Sequence, residues 1–148
     1  MKATRWLVSL SVVVMIGACA STSPVPIRAG DTCFHCRRAI TDTRMAAEAI
    51  SQGQRAYKFS SVGCLKQYLA EHPNEEFRAI FVTDYARDKF VDVDKARFVK
   101  ITVDTRTNAT DFVAFRFRDA AEAFADERGA TVIGWQDVLR DTDAVHAH

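Results

Sequence analysis

Tyr57-Lys58-Phe59-Ser60-Ser61-Val62-Gly63-Cys64-Leu65 turns from strand to helix within a few residues. Tyr57 and Phe59 flank a lysine with the two-residue period of a half-buried strand. Ser60 or Ser61 then supplies a helix N-cap. Val62, Leu65 and Leu69 follow at i, i+3 and i+7 with Tyr68 beside them, and Lys66, Gln67 and Glu71 lie opposite. This helix reaches about His72, where Pro73 stops it. Upstream, Arg44–Ile50 and Arg55–Phe59 flank Ser51-Gln52-Gly53-Gln54, which reads as a β-hairpin.

The same order recurs downstream. Ala79–Asp84 is a strand dense in β-branched and aromatic residues, and Phe90–Val93 pairs back on it. Asp94-Lys95-Ala96 reads as one helical turn, Arg97–Val103 as a strand and Asp104–Asp111 as a polar loop. In Phe112–Phe117, Phe112 and Ala114 face one way and Val113, Phe115 and Phe117 the other. Asp119 and Glu122 stand at capping-box spacing before a helix over Ala120–Arg128, with Gly129 at C′. Thr131–Ile133 is a short strand and Trp135–Leu139 a last helical turn. Strand, strand, helix, repeated, implies an α+β fold of two similar strand-strand-helix units with a mainly antiparallel sheet.

At 148 residues the chain holds one ordinary domain. A net charge of +1 gives no electrostatic footprint for nucleic acid. No glycine-rich phosphate loop and no G-x-S-x-G or H-E-x-x-H motif occurs, and no nucleophile, base and oxyanion donor stand together. The chain does not read as an enzyme.

Residues 1–18 read as a lipoprotein signal peptide. Lys2 and Arg5 precede an apolar stretch, Trp6–Ile16, too short to span a bilayer as a helix. Small residues then lead to Cys19, as in the bacterial lipobox, in which the chain is cut before the cysteine and lipid is attached to it. The expected location is the cell envelope, at the outer membrane facing the periplasm in a Gram-negative cell. Residues 19–30, small and polar with two prolines, read as a flexible tether to a domain spanning 31–141. Residues 142–148, with His146 and His148, read as a frayed tail.

The other three cysteines carry the chemistry. Cys33 and Cys36 form a C-x-x-C pair, and Cys64 is about the third residue of its helix. Unpaired N–H groups and the helix dipole favour thiolate there. Soft sulfur ligands suit Cu(I), and zinc second. His35 and Met45 are further candidate ligands. Two alternatives stay open: a structural disulfide within an interaction scaffold that holds no metal, and thiol–disulfide redox work.

Five segments in order add a resemblance. They are Cys33-Phe34-His35-Cys36 with Ala39-Ile40, then Ala46-Ala47-Glu48, Tyr57–Leu65, Val82-Thr83-Asp84-Tyr85, and Ala114-Phe115 with a closing Gly134-Trp135. The chain resembles the NosL family, whose pattern runs C-x-x-C-G-M-x-I, A-A-Q, F-D-D-I-G-C, V-T-D-Y. The resemblance implies two similar halves and a copper-binding envelope lipoprotein that passes Cu(I) to a copper enzyme such as nitrous oxide reductase. Of the site residues it carries over Cys33, Cys36 and Cys64 only. Arg37-Arg38 replace Gly-Met, and Thr107–Thr110 lacks the family's methionine. The implied partners are a membrane, through the lipid, and a copper enzyme or copper transporter.

Overall fold

β1 (Ala47–Ser51) and β5 (Arg97–Asp104) are the two strands around which the chain folds. The structure, a computed structural model, describes residues 22–142. The signal peptide 1–18, Cys19 and the tail histidines lie outside the described residues. β1 pairs antiparallel with β2 (Ala56–Phe59) on one side and β3 (Phe77–Asp84) on the other. β5 pairs likewise with β6 (Ala109–Phe115) and β7 (Val132–Ile133). α1 (Val62–Glu71) follows β2, and α2 (Arg118–Asp126) follows β6. The repeat therefore extends to a fourth element, as two ββαβ units in one sheet of order β2-β1-β3-β6-β5-β7. The units join where β3 and β6 meet in parallel, and Tyr85 N–H donates to the Ala114 carbonyl at 2.9 Å. β4 (Lys89–Asp92) hairpins onto β3, and α3 (Trp135–Arg140) closes the chain.

Strand alternation assigns the two faces. Ala47, Ala49, Phe59, Val82, Phe98, Phe112 and Ala114 enter one core with Leu65 and Tyr68 of α1. Val99, Val113 and Phe115 enter a second core with Ala121 and Ala125 of α2. The helices thus cover opposite faces. On the α2 side, the half of the sheet built by β1–β3 would be bare without another cover, and residues 24–30 supply it. Here the tether reading needs correction. Val25 N–H donates to both Glu48 carboxylate oxygens (3.1 and 2.9 Å), and Lys58 Nζ holds the Pro26 carbonyl (2.8 Å) and Asp31 (2.7 Å). Glu48 and Lys58 are cross-strand partners. Glu48 is fully buried, and a buried ionised carboxylate without donors would cost several kcal/mol or take up a proton instead.

Other differences have local causes. β1 starts at Ala47, because Asp42 caps a 3-10 turn over Thr43–Met45. The expected loop 104–111 is instead a tight hairpin, with Asn108 in the left-handed conformation (φ +53°) that its turn requires. α2 has no side-chain cap. Glu122 bonds Arg118 instead (2.9 Å), and Phe117 occupies the N-cap. Its other end is as read: Gly129 (φ +61°) and Ala130 N–H to Ala125 carbonyl form a Schellman closure. Lys66, expected on the solvent face, is buried, with its ammonium 5.5 Å over the Phe112 ring and 3.6 Å from Asp141.

Burial raises the Glu48 carboxyl to about 7 from an ordinary 4.5, only partly opposed by the Val25 N–H and Lys58. A folded value above the unfolded one contributes stability below the unfolded value, and that stability is lost as pH rises through the folded value. Glu48→Gln therefore raises stability by on the order of 2 kcal/mol at pH ~8 and leaves it nearly unchanged at pH ~4.5. Urea denaturation at both pH values checks this, and an equal effect at both would refute the ionised-burial cost.

Candidate metal centre

The first half of the site is a small hairpin ahead of β1. Thr32 and Ala39 bridge antiparallel, Ile40 N–H donates to the Asp31 carbonyl (2.7 Å) and Cys33 N–H to that of Arg38 (2.8 Å). Arg37 N–H reaches the Cys33 carbonyl (3.0 Å), which leaves Arg37 at φ +64°. That left-handed conformation costs a non-glycine residue about 1 kcal/mol. Phe34 anchors the loop. Its N–H donates to the Lys58 carbonyl (2.7 Å), and its ring packs edge-on against Tyr57 and Tyr68, with centroids 4.4 and 5.4 Å away. The Arg37 and Arg55 guanidinium groups lie over that same ring at 4.9 and 5.6 Å. Residues between the cysteines therefore fix the loop, and the cysteines turn inward.

Cys64 comes from the first turn of α1. Ser61 is the N-cap, its Oγ accepting from Cys64 N–H (3.2 Å), and Asp111 on β6 accepts from Gly63 N–H (2.9 Å). The three sulfurs end up within 4.8 Å of one another. A metal–thiolate bond of ~2.3 Å allows two sulfurs on one ion to be at most about 4.6 Å apart, so an ion needs only sub-ångström contraction. Cys33 and Cys64 are buried and Cys36 is half-buried. Cys36 and Cys64 open onto a cleft of about 480 Å³, whose walls include Arg38, Met45 and Val103.

Proton sharing sets the electrostatics. Cys33 is pushed down to about 4, first by the hydrogen bond it accepts from Cys64 and further by Ser60 and backbone donors, against its burial. Cys64 is pushed up, because it donates to Cys33 and is itself buried. The direction of both shifts makes Cys33 the thiolate-prone sulfur and Cys64 the proton donor, where the helix start alone favours Cys64. The helix terminus still supports Cys64, but a thiolate this close makes a second charge unfavourable.

His35 does not join the sulfurs. Its Nε2 lies 3.2 Å from Glu71 on α1, because side chains at alternate positions of the loop diverge. Met45 lies in the 3-10 turn before β1, half-buried against the second core and on the wall of the cysteine cleft. Two contributors escape a sequence reading. Ser60 donates to Cys64 Sγ (3.3 Å) and lies 3.8 Å from Cys36 Sγ. Asp111 reaches across from the second unit. The doubled serine is the available signal for the first, one hydroxyl for the cap and one for the sulfurs. A lone carboxylate entering an apolar strand is the signal for the second.

The NosL family profile matches residues 24–142. The chain belongs to the NosL family. The NosL match starts within the strap over β1 and takes in both ββαβ units. Among solved structures, the copper chaperone NosL from Shewanella denitrificans has the same fold, with a TM-score of 0.64, 16% identity, and coverage of 86% of this chain and 99% of that one. No curated protein matches the chain. In this NosL domain the left-handed Arg37 stands where the family pattern has glycine, which accounts for the turn's geometry surviving the replacement at a backbone cost.

Reduced protein should already show one thiolate at pH ~6, well below the ordinary thiol range. Thiolate ultraviolet absorbance followed against pH checks this. Cys33→Ser should abolish the low-pH step, and Cys64→Ser should move it up, since the donor that stabilises the thiolate is gone. A wild-type curve with no step below neutral pH would refute the shared proton.

Proposed function

We propose that this protein binds Cu(I) through Cys33, Cys36 and Cys64 and passes it to a copper protein. The carrying observation is the convergence of three sulfurs, two buried and one half-exposed, from two separate elements. Thiolates match a soft monovalent ion, and a three-sulfur set with no fourth cysteine, histidine or carboxylate among the described residues suits Cu(I) better than closed zinc coordination. Burial of Cys33 and Cys64 shields the bound ion from water and oxidants. Cys36, on the cleft, is the ligand an acceptor reaches first, so transfer proceeds by exchange at that sulfur. The family and the chaperone relative from Shewanella denitrificans support this reading. We further propose that Cys19 is lipidated, that the domain works in the envelope, and that the recipient is an enzyme of the nitrous oxide reductase kind or a copper transporter. The lipobox-like segment and the family resemblance support these points.

Competition with bathocuproine should give one Cu(I) per reduced chain. Replacing Cys33, Cys36 and Cys64 together by serine should abolish binding, and Cys64→Ser alone should weaken it at least tenfold. A triple variant as tight as wild type would sink the reading.

Proton release offers an independent check. With Cys33 already ionised, binding near neutral pH should release two protons rather than three. Calorimetry in buffers of different ionisation enthalpy measures that number.

A further inference from the structure

We infer that the rim of the cleft beside Cys36 is a docking face for an acidic partner, a protein that carries carboxylates around its own thiol or thioether ligands. This rests on the metal reading above and adds the chemistry of the recipient.

Three observations carry it. Exposure gives the direction: Cys33 and Cys64 are buried, so a recipient approaches the sulfurs from the cleft at Cys36. Charge gives the complement. Arg38 lines the cleft, exposed and without an ion pair among the described residues, while Arg37, also exposed, lays its guanidinium over the Phe34 ring. The acids nearby are already engaged. Asp42 is held by Arg44 (3.0 Å), Asp104 by Arg106 (3.7 Å), and Asp111 by the Gly63 and Phe112 N–H groups. On the exposed rim the Arg38 charge is left over, with Asp111 buried beneath it, and Val103, 43% exposed, supplies an apolar contact at its edge.

The third observation is cost. Arg37 holds a left-handed backbone that glycine would adopt freely, and Arg38 stands on the cleft wall with no ion-pair partner among the described residues. Neither guanidinium can ligate the ion, and their placement suits an encounter outside the site. Opposite charge around a small apolar centre steers association and sets orientation.

The test uses two synthetic peptides with the same Cys-x-x-Cys core, one flanked by aspartate and glutamate, the other by lysine. Copper-loaded wild type should deliver Cu(I) to the acidic peptide about tenfold faster at low ionic strength, with the advantage gone near ~0.5 M salt. Arg38→Glu should reverse the preference and Arg38→Lys should keep it, with bathocuproine-measured affinity changed less than about threefold in both. Equal rates to the two peptides, or an unchanged preference in Arg38→Glu, overturn the docking face. If wild type takes up no Cu(I), the metal reading fails by itself, and fluorescence anisotropy of labelled peptides on the apo protein then decides: preference for the acidic peptide upholds the face, and parity overturns it. Arg38-dependent binding to phosphatidylglycerol vesicles without any peptide preference also overturns it, by assigning the rim to a lipid surface.

Discussion

The hydrogen bond from Gly63 N–H to the Asp111 carboxylate, 2.9 Å long and buried, is the constraint on which most of this molecule depends. A helix begins with N–H groups that have no partner inside it, and a buried helix start must find them elsewhere. Ser61 takes one and Asp111 another, and Asp111 belongs to the other ββαβ unit. The bond therefore fixes the start of α1, holds the two halves of the sheet in one arrangement and sets the position of Cys64 one residue later. Asp111 also accepts from Phe112 N–H at 2.7 Å, so one oxygen, Oδ1, takes both N–H groups.

The repeat shows how a shared scaffold acquires a site in one copy only. α1 and α2 are equivalent, yet Cys64 and its capping serine correspond to Ala120 and Phe117 in the second unit. Nothing in the second unit needs a donor-rich helix start, and its N-cap has no side-chain hydrogen bond. The hairpin of residues 31–40 likewise has no counterpart after β4. Asymmetry in chemistry thus comes from a few residues at helix starts and from one added loop, while the strands keep their pattern.

Most of the strands and both main helices could be read from sequence, because alternation in Phe112–Phe115 and the i, i+3, i+7 pattern of Val62, Leu65 and Leu69 report burial directly. The three cysteines could be singled out too, as a C-x-x-C pair with a third thiol at a helix start, a pattern that metal, disulfide and redox roles share. What stayed hidden depends on long-range partners. Glu48 reads as a polar residue in a strand, and only the docked Val25 explains its complete burial. Lys66 reads as solvent-facing until Asp141, far along the chain, is placed over it. The assignment of the proton between Cys33 and Cys64 needs the distance between them, which no spacing supplies.

The clamp that Glu48 and Lys58 place on Val25 and Pro26 sets a length scale. The chain leaves the domain surface near Pro24, five residues beyond Cys19. With the proposed lipid on Cys19, those residues fully extended reach only roughly 17 Å. With that anchor in place, a leash so short would hold the domain against the bilayer surface. Search for a recipient would then be two-dimensional, and the effective concentration of a membrane-bound recipient would rise accordingly. A recipient whose own metal-accepting site stands far above the membrane would be out of reach, whatever its affinity.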